Sequence, residues 1–126
     1  MEWIENGRHQ YRTKFDGEVV IKAERDNKVL FKFRKNSFYK ILEDNEYIVV
    51  AREGEKIYFK GSDSKRGFKL GKYGENTRTF KIKRDALKLT DDLLGEYNLD
   101  YNSELGLCYI NLYKKLEKEL SWRGAK

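Results

Sequence analysis

The chain has 126 residues, of which 38% are charged and 39% apolar, with a formal net charge of +6 and no proline. That length can bury one modest core, so a single domain is expected over residues 1–126. Nine Tyr and seven Phe exclude a disordered tail, which is poor in aromatics, and the longest apolar run, residues 47–51, is far too short to cross a bilayer.

Residues 1–16 read as an N-terminal hairpin. Asn6-Gly7 is a strong two-residue turn signal because both positions tolerate positive φ, and Tyr11, Thr13 and Phe15 follow it at period two. Residues 19–23 form a β-branched run that turns at Asp26-Asn27 into a strand over residues 29–33. On that strand Phe31 and Phe33 share one face, while Lys32 and Arg34 take the other. A short helix follows, capped by Asn36 or Ser37, with Phe38, Ile41 and Leu42 on one side. Residues 47–51 and 57–60 then pair around Glu53-Gly54-Glu55.

From residue 67 the pattern begins again. Residues 68–73 make a strand, 74–77 a turn and 78–83 a return strand. Asp85 caps a second helix with Leu87 and Leu94 on its face, ended by Gly95. Residues 97–101 and 105–112 form a closing hairpin, and residues 113–122 a short C-terminal helix. A single long helix from Ser103 is the alternative for 105–120, but Gly106 favours the strand.

The two halves match in sequence as well as in order. Residues 31–38, Phe-Lys-Phe-Arg-Lys-Asn-Ser-Phe, align with residues 80–87, Phe-Lys-Ile-Lys-Arg-Asp-Ala-Leu. Downstream, Glu46-Tyr47 answers Glu96-Tyr97 and Tyr58 answers Tyr109, so the offset drifts from 49 to 51 residues. A repeat of this size implies one supersecondary unit used twice around a shared core. The expected fold is therefore α+β, mainly β: two pseudo-repeated β-β-α-β-β units, residues 18–60 and 67–114, with the N-terminal hairpin and the C-terminal helix added. Phe31, Phe33, Phe38, Tyr47, Phe80, Ile82 and Leu87 are its expected joint core.

The charge is uneven. Residues 61–90 carry nine basic and three acidic side chains, against 13 and 11 in residues 1–60 and five and seven in residues 91–126. A local basic block of this kind marks either a polyanion partner or a solvated face. Strand alternation points Lys32, Arg34, Lys81 and Lys83 away from the aromatic core, and Lys69, Lys72, Arg78 and Arg84 lie close in sequence. Such a ribbon can follow phosphates, with affinity from counterion release, or enter a major groove. Phe68 and Tyr73, between these cations, are candidates for stacking on unpaired bases.

Catalytic chemistry finds little material. His9 and Cys108 are the sole histidine and cysteine, so neither a nucleophilic triad nor a structural zinc site is expected. Asp16 with Asp26-Asn27-Lys28 has the residue types of a metal-dependent nuclease, but Asp26 falls in a turn instead of beside a second acid on adjacent strands. Gly71-x-x-Gly74 lacks the strand-to-helix setting and the Lys-Ser/Thr ending of a phosphate loop. No cofactor, no metal and no enzymatic activity are expected. The missing secretory pattern and the unpaired Cys108 make the cytoplasm the expected compartment.

The element order, with a helix directly after a Phe-Lys-[Phe/Ile] strand, resembles the AbrB/MazE-like swapped-hairpin family. The resemblance covers residues 18–60 and 67–115 and implies a DNA-binding regulator of bacterial or phage type, with both halves of a family homodimer in one chain. Arg34 and Lys83 stand where the family has proline, and no Gly-Arg pair opens the return strands. Arg78, near the start of its strand, approximates the family's DNA-facing arginine. The expected partner is therefore nucleic acid, duplex DNA first, with homo-oligomerisation open. The rival expectation is a small inhibitor or interaction module whose charged surface meets an acidic protein. No membrane partner is expected.

Overall fold

A computed structural model of the chain describes residues 18–42, 45–72, 74 and 76–116. The expected N-terminal hairpin with His9, Tyr73, and residues 117–122 of the expected C-terminal helix lie outside the described residues.

The described residues are mainly β: two five-stranded antiparallel sheets and one short helix. The strands are β1 (Val19–Glu24), β2 (Lys28–Arg34), β3 (Tyr47–Glu53), β4 (Lys56–Ser62), β5 (Phe68–Lys69), β6 (Gly71–Lys72), β7 (Thr77–Lys83), β8 (Gly95–Tyr97), β9 (Asp100–Asn102) and β10 (Leu107–Asn111), and the helix is α1 (Lys35–Leu42). The first sheet has the order β6-β7-β2-β1-β8 and the second β5-β3-β4-β10-β9. The segment from Phe68 to Lys72, interrupted at Leu70, gives its first half to the second sheet and its second half to the first. The segment from Gly95 to Asn102 is shared out the same way, so the chain crosses between the sheets along both edges, as strands do at the corners of packed sheets.

Local chemistry explains the turns. Asp26 and Asn27 have φ of 60° and 59°, the left-handed conformation that short polar side chains tolerate. Gly54, at φ 64°, closes the β3–β4 turn where a Cβ would be strained.

Alternation then builds the core. Val29, Phe31 and Phe33 of β2 are buried, and across the interior they meet Ile57 and Phe59 of β4 and Ile110 of β10. Phe33 stands edge-on to Phe59, with centroids 5.2 Å apart and planes at 87°. Each such side chain contributes about 1.5–3 kcal/mol by leaving water. The expected core residues are all buried except Tyr47, which is half-buried.

α1 follows β2 without a linker and packs against β2 and β7 of one sheet and β4 and β10 of the other. Its buried face is Ser37, Phe38, Ile41 and Leu42. Ser37 lies inside the helix instead of capping it, and its hydroxyl donates to the Glu18 carbonyl at 3.1 Å. Gly61 of β4 permits the helix its close approach: a Cβ there would stand 2.9 Å from the Ile41 carbonyl oxygen.

The second half departs from the expected order. No α-helix forms over residues 85–94; two 3₁₀ turns, Arg84–Ala86 and Asp91–Leu93, flank a short turning link. Lys88 has φ 53°, which ends the first turn. Leu87 and Leu89, two residues apart, are both buried, a spacing a helix cannot place on one face. Arg52 Nη1 supplies donors from outside, to the carbonyls of Leu87 (3.0 Å) and Lys88 (2.9 Å). The closing hairpin is β9–β10, while β8 pairs with β1 in the other sheet. Residues 107–111 are strand, not helix. Where the C-terminal helix was expected to begin, Leu112–Lys114 form a 3₁₀ turn and Leu116 bridges to Glu96.

Candidate nucleic-acid interface

The ladders of the first sheet fix which cations share a face. Lys32 sits between Val20 and Thr79, Leu30 between Lys22 and Lys81, and Lys28 between Glu24 and Lys83. Arg34 faces Thr77 at the end of the ladder. Because side chains alternate, these residues all lie opposite the face that carries Val29, Phe31 and Phe33. The outer face thus gathers Lys22, Lys28, Lys32, Arg34, Lys81 and Lys83 from three adjacent strands, in rows about 4.8 Å apart across the sheet and about 7 Å apart along it.

Four of these six, Lys32, Arg34, Lys81 and Lys83, are residues that match in pairs between the aligned segments 31–38 and 80–87. Lys22 and Lys28 escape sequence reasoning. Alternation after Ile21 signals Lys22, but its place in line with Lys81 depends on a register that no local pattern gives.

Two acids are interspersed. Glu24, half-buried, pairs with the exposed Lys81 at 3.4 Å, a contact worth at most about 1 kcal/mol. Glu96 faces Val20. The Lys32 ammonium is pushed below its ordinary value, first by burial and then by the positive charge of Lys22. Burial is the larger cause, and Val20, which faces Lys32 in the same row, is itself buried, so the centre of the face is partly covered and its exposed cations are Lys22, Arg34, Lys81 and Lys83.

The remaining expected site residues lie elsewhere. Arg78 shares the inner face of β7 with Phe80 and Ile82 and is half-buried. Its guanidinium lies 4.3 Å over the Phe38 ring, and Nη1 donates to the carbonyls of Thr77 (3.1 Å) and Gly74 (3.5 Å). It is not the free arginine at a ribbon tip that the family resemblance implies. Lys69 and Lys72 are exposed near it, around a cleft of about 500 Å³ between α1 and the β5–β6 segment. Arg84 is held at the base of β7, ion-paired with Asp91, with its backbone N–H donating to the Asn27 carbonyl at 2.8 Å. Its Nε is buried without a partner among the described residues. Phe68 packs on Phe80 at 5.4 Å and so serves the core.

Cys108 is buried, and burial pushes its thiol up, away from the reactive thiolate. Among the described residues no group of three His, Cys, Asp or Glu could hold a metal ion, and no helix is long and apolar enough to cross a membrane.

Comparison with known protein families, with curated proteins and with solved structures finds no match to this chain.

Proposed function

We propose that this protein is a non-enzymatic DNA-binding protein, a small regulator that lays duplex DNA across the outer face of its first sheet. The observation that carries the reading is the convergence of six Lys and Arg side chains from β1, β2 and β7 on one regular surface. Phosphate contacts from such a surface provide affinity through counterion release and set orientation without reading sequence.

A repeated unit supports the same reading. We infer that residues 18–60 and 67–114 are copies related by a pseudo-twofold axis, because the residues matched in sequence also face each other in space. Phe31 is the cross-strand partner of Phe80 at the centre of the first sheet, and Tyr58 that of Tyr109 at the centre of the second. An antiparallel pair of equivalent residues is where such an axis must pass. This arrangement favours kinship with the AbrB/MazE-like swapped-hairpin DNA binders, although Arg78 takes no base-reading part in it.

Fluorescence anisotropy with labelled duplex and single-stranded DNA across a salt series tests the proposal. The expected slope of log K against log salt is roughly −0.9 for each phosphate neutralised. Reversing Lys81 and Lys83 to Glu leaves the fold intact, since both are exposed, and weakens binding tenfold or more with a shallower slope. Salt-insensitive binding, or none with folded protein, moves the reading to an acidic protein partner.

A further inference from the structure

Beyond the cationic face, the first sheet borders a second concentration of positive charge at the cleft between α1 and the β5–β6 segment. Lys69, Lys72 and Arg78 line it, Leu42 and Leu70 form a buried apolar wall, and Tyr39 stands at the rim, 56% exposed. Lys72 and Arg78 are direct cross-strand partners in the β6–β7 ladder. Like charges so placed repel, and no ion pair among the described residues joins either to a carboxylate. Neither Lys69 nor Lys72 enters an ion pair there, and the hydrogen bonds of Arg78 go to two neutral carbonyls. Glu46 is the single carboxylate among the described lining residues.

Two features make this more than a charged patch. The Phe38 ring beneath it and the two carbonyls it donates to hold the Arg78 guanidinium in place, which lowers the entropy lost when it engages an anion. The apolar wall and the exposed Tyr39 ring offer a planar, uncharged group a place that a bare anion would leave unused. A volume of about 500 Å³ lies in the range of small-ligand sites.

We propose that this cleft binds a nucleoside phosphate, with the phosphate among Lys69, Lys72 and Arg78 and the base against Tyr39 and the leucine wall. The ligand is either a free nucleotide or an unpaired nucleotide within a strand. The site does not require the sheet face to bind DNA, and the two fail separately.

The experiment is an amide NMR titration of the full chain with adenosine monophosphate, with inorganic phosphate, and with DNA duplexes that do or do not contain one unpaired adenosine. The expected result is that the mononucleotide shifts amides at Tyr39 and residues 69–72 and binds at least tenfold more tightly than phosphate. The double variant Lys69→Glu, Lys72→Glu weakens it tenfold or more. Tyr39→Ala abolishes the preference over phosphate, and the Lys81→Glu, Lys83→Glu protein binds the nucleotide as before. A tenfold preference for the duplex with the unpaired base, competed by the mononucleotide, assigns the ligand to a strand; equal affinity for the two duplexes, with the nucleotide still binding, assigns it to the free form. Phosphate binding as tightly as the nucleotide overturns the proposal. So does the absence of cleft shifts with both nucleotide and unpaired-base duplex.

Discussion

Phe31 and Phe80 stack across the β2–β7 ladder with ring centroids 4.9 Å apart and planes inclined by only 8°. Each ring also lies within 6.5 Å of Phe33, so the pair anchors an aromatic cluster at the junction of the two halves. Phe80→Ala is expected to cost about 3–5 kcal/mol, the usual range for a buried Phe. Phe31→Ala should cost as much. The double variant should lose less than the sum, with a coupling of about 0.5–1.5 kcal/mol for the ring pair. Urea unfolding of the four proteins measures it, and strict additivity would remove the stacking from the account.

Arg52 ties the second sheet to the link that replaces the expected helix. Its Nε donates to the Gly54 carbonyl at 2.8 Å, and Nη1 to the carbonyls of Leu87 and Lys88. Arg52→Ala strands the part-buried Leu87 carbonyl and should cost about 1–3 kcal/mol. Arg52→Lys should recover little of that loss, because one ammonium cannot reproduce the fork. Hydrogen exchange should quicken first at the Leu89 amide, which donates to the Arg84 carbonyl across the same link. Unchanged exchange there in Arg52→Ala would show that the arginine merely decorates the surface.

These relationships divide what the sequence makes legible from what it hides. The β1–β2 hairpin is legible because Asp26-Asn27 and the Phe31/Phe33 alternation are local signals, and both act within a few residues. The inward side of Arg78 follows from alternation too, since it lies two residues before Phe80; the family resemblance points the other way, and steric period outweighs it. The helix expected at 85–94 rests on Leu87 and Leu94, seven residues apart. Leu89, two after Leu87, breaks the helical spacing, and Arg52, which stabilises the link, is more than thirty residues away. The division of β8 and β9 between two sheets, and the alignment of Lys22 with Lys81, depend on long-range register that propensity does not encode.

Tyr97 gives the fold a pH dependence. Its ring is fully buried, and its hydroxyl donates to the Leu93 carbonyl at 2.5 Å. Burial first, then the Asp92 carboxylate, push its pKa from 10.0 up to about 12. The folded state thus holds the proton more tightly than the unfolded chain, so stability is full below pH 10 and falls as pH rises from 10 to about 12. The loss attributable to this group is on the order of 2 kcal/mol. Tyr97→Phe should be less stable at pH 7 through the lost hydrogen bond, yet show a flatter decline through that window. Parallel stability curves for the two proteins would contradict the assignment.

Lys22 and Lys32 provide the most direct probe of the cationic face. The Lys32 ammonium lies below its ordinary 10.5, with burial the larger cause and the Lys22 charge the next. Lys22→Gln removes the second cause and should move the Lys32 titration upward, though not back to its ordinary value, because burial remains. DNA should move it further in the same direction, since a phosphate near the pair favours the charged form. The side-chain Cε resonance of Lys32, followed by carbon NMR with and without a short duplex, reads both shifts. Lys22→Glu should also weaken DNA binding about as much as Lys81→Glu, since both residues flank Leu30 in one row. A Lys32 titration that ignores both Lys22 and DNA, with binding unchanged in Lys22→Glu, would take β1 out of the interface and leave a narrower ribbon of β2 and β7.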